Sequence, residues 1–150
     1  MIYGFQDALS RRLLAWSALS IVAGAILLIA GDGFWRGFGL QALVWGAIDA
    51  AIAIFGSRSS RKRRASGQSN PEVTMREARN LQKLLWINTG LDVFYVTGGF
   101  IVLFVFGAQD PFAAGNGSGI VLQGSFLFLF DLLHVRAVPM TVINEAMPKE

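Results

Sequence analysis

Four apolar stretches, each close to the length needed to cross a bilayer, constrain this chain more than any other feature. A helix rises 1.5 Å per residue, so about 20 mostly apolar residues cover a hydrocarbon core roughly 30 Å thick. The stretches run Leu13 to Ala30, Phe38 to Gly56, Leu84 to Phe106 and Gly119 to Val138. In a chain of 150 residues they leave no room for a separate water-soluble domain. The expected fold is therefore all-α, a four-transmembrane-helix bundle formed as one transmembrane domain over residues 1–150. A content of 53% hydrophobic and 15% charged residues agrees with this and not with a soluble domain of the same size. The absence of cysteine excludes disulfides, thiolate metal sites, thiol redox chemistry and c-type haem attachment.

Orientation follows from the basic residues, because loops rich in Lys and Arg stay in the cytoplasm. The loop 57–83 carries Arg58, Arg61, Lys62, Arg63, Arg64, Arg76, Arg79 and Lys83, whereas the two loops on the other side share a single base, Arg36. Arg11 and Arg12 before the first span, and Arg136 and Lys149 at the far end, fall on the side of the basic loop. The expectation is a multi-pass protein of the cell inner (plasma) membrane with both termini cytoplasmic. Arg58, Arg61, Lys62, Arg63 and Arg64 would also attract anionic lipid head groups, worth about 1 kcal/mol each near the surface. Nucleic acid is not implied, since the net charge of +3 is concentrated beside one helix end. Ser10-Arg11-Arg12 before an apolar run imitates a twin-arginine export signal, but three more spans follow, so the first is read as a permanent helix. Before it, Ile2, Phe5 and Leu9 share a helical face suited to a short interfacial segment, or to a frayed end.

Within the basic loop, Asn70 and Pro71 read as the N-cap and first position of a third helix that starts a few turns before the membrane. The opposite loops are expected at Gly31 to Gly37 and Ala108 to Gly117, with Asp110-Pro111 and the run Gly115-Asn116-Gly117-Ser118-Gly119 marking turns. Trp35 with Phe34 at one edge, and Trp16 and Trp86 at the other, suit interfacial aromatic belts. Gly46, Ala47, Ala50, Gly98 and Gly99 read as close-packing positions, and such faces leave room for a homo-oligomer or a partner membrane protein. A weak repeat relates Gly37, Gln41 and Asp49 to Gly119, Gln123 and Asp131 at a shift of 82, and Arg12-Leu13-Leu14 to Lys83-Leu84-Leu85. Two duplicated helical hairpins would produce that pattern.

Ionisable residues inside a span cost roughly 2.5 to 3.5 kcal/mol for Asp at a helix centre, so each needs a reason. Asp49 lies nine residues from Arg58, Asp92 nine from Lys83 and Asp131 five from Arg136. All three therefore fall about 7 to 14 Å from the basic ends of their helices. They can meet only in the bundle interior. Asn88 and Tyr95 share the face of Asp92; Gln41 and Trp45 share that of Asp49; His134, three residues after Asp131, can address the same point, with Gln123 two turns outward. A polar track from mid-membrane to the basic side is the inference.

Three functions fit such a track. In an accessory, structural or ligand-binding membrane protein the groups hydrogen-bond one another between helices. In a small transporter they bind and pass a proton or cation. In a metal-dependent membrane enzyme, Asp49, Asp92, Asp131 and His134 supply the ligands. No nucleophile elbow, phosphate loop or dinucleotide fingerprint is present, so no catalytic residue and no cofactor is expected, and the first function leads.

The runs Asn88-Thr89-Gly90-Leu91-Asp92-Val93 through Gly98-Gly99, and Gln123-Gly124-Ser125-Phe126-Leu127 through Phe130-Asp131, with a looser match at Trp45-Gly46-Ala47-Ile48-Asp49 and Ile52-Ala53, resemble a bacterial four-helix integral membrane family known as a domain of unknown function. The resemblance implies the fold and topology and supplies no activity. It also implies that the position of Asp49 is often asparagine in that family, which places the weight on Asn88, Asp92, Gln123 and Asp131.

Overall fold

A computed structural model describes residues 2–65 and 71–146, with side chains placed up to residue 138. The chain forms α1 (Ile2–Ala30), α2 (Gly33–Ala65), α3 (Pro71–Ile101) and α4 (Pro111–Ala146), and α3 runs on through a π-helical turn at Val102–Phe106. Four helices are long and apolar enough to cross a membrane, and each is longer than the bilayer core is thick. Large apolar side chains point outward all round the bundle, Ile29 (83% exposed) and Phe94 (76%) among them. Such exposure suits lipid tails and would be costly in water.

The interior is correspondingly small and polar, because lipid gives helices no hydrophobic reason to associate and close backbone approach has to hold them together. The buried face of α1 includes Ser17, Ser20 and Gly24. A methyl group added to Gly24 would sit 2.6 Å from the Leu43 amide nitrogen, and one on Gly46 would sit 3.0 Å from the Ser17 carbonyl, so α1 and α2 meet backbone to backbone. Gly99 meets Val121 in the same way across α3 and α4. Of the other small residues expected to pack, Ala47 is exposed, Ala50 is half-buried, and Gly98 faces open space.

The two hairpins share a packing register. Ser17 Oγ donates to the Leu13 carbonyl at 2.7 Å, and Thr89 Oγ donates to the Leu85 carbonyl at 2.8 Å. The close contact of Leu27 with Gly39 has its counterpart in Gly99 with Val121. With α2 and α4 related by the shift of 82 from the sequence pattern, these contacts relate α1 to α3 by 72, one more than the Lys83-Leu84-Leu85 alignment gives. Leu85, not the exposed Leu84, occupies the buried place of Leu13.

Both connections opposite the basic end are shorter than expected. Gly31 and Asp32 alone join α1 to α2. Asp32 accepts from the Trp35 amide at 3.3 Å as an N-cap, while Arg36 donates to the Leu28 carbonyl at 3.3 Å and so caps the end of α1. Asp110 caps α4 by accepting from the Phe112 amide at 2.9 Å, with Pro111 in the first turn. The Gly115 to Gly119 run is helical and not a turn. Its glycines are needed for contact: Gly115 lies against the Phe34 carbonyl and Gly119 against Gln41 on α2, while Gly117 abuts Leu103 in the π turn.

At the basic end, α3 begins at Pro71 as expected, while the N-cap Asn70 and Lys149 lie outside the described residues. The Ile2, Phe5 and Leu9 face does not lie free at an interface. It packs on Ala78, Leu81 and Leu85 of α3 and Leu132, Val135 and Val138 of α4, making α1 one continuous helix. Arg63 of α2 pairs with Glu77 of α3 at 3.4 Å.

A candidate polar site among the helices

Asp49, Asp92 and Asp131 are 1%, 4% and 7% exposed, so three helices do turn their acids inward. The three carboxyl groups lie within electrostatic reach of one another, and the Asn88 side chain faces Asp131. One oxygen of Asp49 and one of Asp92, Oδ2 in each, are buried with no hydrogen-bond partner. Immersing an unpaired carboxylate oxygen at this depth costs several kcal/mol unless a proton or cation neutralises it.

The other expected members do not join the acids. Gln41 donates to Asn116 Oδ1 at 2.7 Å, and Asn116 in turn donates to the Phe112 carbonyl at 2.9 Å, forming a separate link between α2 and α4. Gln123 accepts from Trp16 Nε1 at 2.9 Å and donates to Ser20 Oγ at 3.2 Å, tying α4 to α1. Trp16 stacks on Phe126 with ring centroids 3.8 Å apart, so it belongs to the bundle rather than to an interfacial belt. The continuous polar track expected from the sequence is thus divided into separate knots at different depths. Asn116, Trp16 and Ser20 were missed, the first because it sits among glycines that read as a turn. The serines carried a usable signal: Ser10, Ser17 and Ser20 repeat at helical spacing on one face of α1.

His134 also departs from expectation. Arg12 donates to its Nε2 at 3.1 Å, so Nδ1 carries the hydrogen donated to the Phe130 carbonyl at 2.6 Å. Phe130 and Phe5 flank the ring, with centroids 4.1 and 6.0 Å away. With both nitrogens engaged toward α1 and its own helix, His134 does not address the point that Asp131 faces. Among the described residues no three His, Asp or Glu side chains are grouped to hold a metal ion. The metal-dependent enzyme loses its one nitrogen ligand.

Tyr95 stands apart, 42% exposed, its ring edge-to-face with Trp45 at 4.8 Å and 74°. This pair bridges α2 and α3, of which no Cα atoms come within 8 Å of each other among the described residues. The helices pack in the order α1, α2, α4, α3, leaving a seam between α2 and α3. Surface hollows of about 530 Å³ occur beside the π turn and near Glu72 to Asn80, and neither includes an acid of the cluster.

A bundle of four membrane-length helices enclosing unpaired acids defines a small polytopic membrane protein with a closed polar centre. Residues 12–132 match the family described as "Family of unknown function (DUF6992)", and the chain belongs to that family. The match takes in every residue of the acid cluster and stops short of His134. The comparison with curated proteins gives no match, and neither does the comparison with solved structures.

Proposed function

We propose that this is a ligand-binding membrane protein whose Asp49, Asp92 and Asp131 cluster takes up an exchangeable proton or small cation, serving an accessory or a coupled-transport role. The observation that carries the reading is the pair of buried, unpartnered carboxylate oxygens on Asp49 and Asp92. Gln123 satisfies its polar atoms with Trp16 and Ser20, whereas Asp49 and Asp92 face each other and each keep one acceptor over. Facing groups are Asp49 on α2, Asp92 and Asn88 on α3 and Asp131 on α4, while Arg12 of α1 is spent on His134. No basic side chain among the described residues makes a salt bridge to the cluster, which favours a mobile neutralising species. The basic run Arg58 to Arg64 supports an orientation with both termini in the cytoplasm of an inner membrane, and contact with anionic lipid.

The reading is tested by difference infrared spectroscopy of the protein in lipid. Carboxylic acid bands that respond to pH or to added Na⁺, and disappear in Asp49→Asn/Asp92→Asn, are expected. Bands that neither condition moves would reduce the cluster to fixed interhelical glue.

A further inference from the structure

We propose that the seam between α2 and α3 is a lateral binding site for a lipophilic monovalent organic cation, held between the carboxylates of Asp49 and Asp92 and the rings of Trp45 and Tyr95. This deepens the function proposed above and rests on it. Trp45 precedes Asp49 by four residues and Tyr95 follows Asp92 by three, so each ring lies one helical turn beyond its acid on the same face. The two rings meet across the seam at 4.8 Å, one helical turn along from the buried acids. Each of the two helices thus brings an acid and an aromatic ring to the same face.

The chemistry selects the ligand class. A divalent metal ion wants several oxygen or nitrogen ligands, and among the described residues no set of three acids or histidines is grouped for one. A diffuse cation such as a quaternary ammonium or phosphonium is instead attracted by aromatic faces, by about 2 kcal/mol or more where water is excluded. The flanks of the seam are apolar: Ile48 and Ile52 on α2 and Leu91 on α3 are exposed on the lipid-facing surface. A ligand with apolar substituents can therefore reach the seam from the bilayer. Because α2 and α3 do not pack backbone to backbone, the rings can part by side-chain rotation, and Tyr95 has the free surface to do so. Binding exchanges charge for charge: the cation pairs with a carboxylate, and the proton that carboxylate carried leaves to water.

The experiment uses the full chain in lipid nanodiscs, with radiolabelled tetraphenylphosphonium as the probe and a pH indicator in weak buffer. Saturable binding with proton release is expected. It should be lost in Asp49→Asn/Asp92→Asn, weakened roughly tenfold in Trp45→Leu or Tyr95→Leu, preserved in Tyr95→Phe, and unaffected in Phe94→Leu, whose side chain faces lipid. Size-exclusion profiles show which variants fold, and Tyr95→Phe against Tyr95→Leu keeps the comparison within one position. Absence of saturable binding, or binding indifferent to both the acids and the rings, overturns the proposal. If the carboxylic acid bands respond to pH or Na⁺ while the phosphonium does not bind, this inference alone falls. If the bands do not respond either, the proposed function falls with it.

Discussion

Gln123 shows most clearly what one polar side chain does in this bundle. It accepts from Trp16 and donates to Ser20, so a single residue of α4 fixes its height against α1. Interhelical hydrogen bonds in membranes contribute about 0.6 kcal/mol each on average and up to about 1.7. Gln123→Leu should therefore lower stability by about 1 to 2 kcal/mol, chiefly by stranding the Trp16 indole hydrogen, since Ser20 can turn to a backbone carbonyl of its own helix. Reversible unfolding in mixed detergent measures this, and Trp16→Phe in the Gln123→Leu background should cost little more. His134 acts in another way, as a buried acceptor for Arg12. His134→Phe keeps the aromatic packing with Phe5 and Phe130 but removes the bond to Arg12 that ties α1 to α4 and the bond to the Phe130 carbonyl. It should destabilise the protein without altering phosphonium binding, a pair of readouts that separates α1 anchoring from the acid site.

At the scale of the helix, glycine is the residue that sets geometry. Gly98 and Gly99 are sequence neighbours with opposite surroundings: open space at Gly98, and Ile120 and Val121 within 2.9 Å of an added methyl at Gly99. Gly98→Ala should be neutral or slightly stabilising, because alanine favours the helix by up to about 1 kcal/mol. Gly99→Ala should destabilise and prise α3 from α4. Thermal aggregation onset of the two variants side by side decides the matter. The same contrast explains which elements the sequence made legible. Hydrophobic runs located all four helices, because length and apolarity alone define a membrane-spanning segment. Their ends were harder to place: Gly115 to Gly119 looks like a turn by composition, and only the partner backbones of Phe34 and Leu103 reveal glycines chosen for proximity. That the three acids turn inward was readable from the cost of placing them against lipid. Which neighbours joined them was not, since Gln41, Gln123 and His134 point toward helices whose packing order no single chain pattern encodes.

For the whole molecule, the packing order α1, α2, α4, α3 makes α4 the central helix and leaves the α2 and α3 backbones apart, bridged by side chains such as Trp45 with Tyr95 and Arg63 with Glu77. The shared register of the two hairpins would, in an undistorted pair, place equivalent seams on both sides. The side of α1 that faces α4 is filled by the stacked Trp16 and Phe126 and by the Arg12 and His134 pair, whereas α2 meets α3 through Trp45 with Tyr95 and Arg63 with Glu77. The asymmetry of basic residues should orient this arrangement in a membrane. With no native cysteine, a single cysteine at Ser59 should resist an impermeant thiol reagent applied from outside the cell, while one at Asp32 should react.

The central claim is that Asp49 and Asp92 carry an exchangeable neutralising partner rather than a fixed one. Difference infrared spectroscopy of the protein in lipid, with Asp49→Asn/Asp92→Asn as the reference, tests it most directly. Carboxylic acid bands that shift with pH or Na⁺ and vanish in the double variant are the expected result; bands that stay unchanged under both conditions would contradict the account.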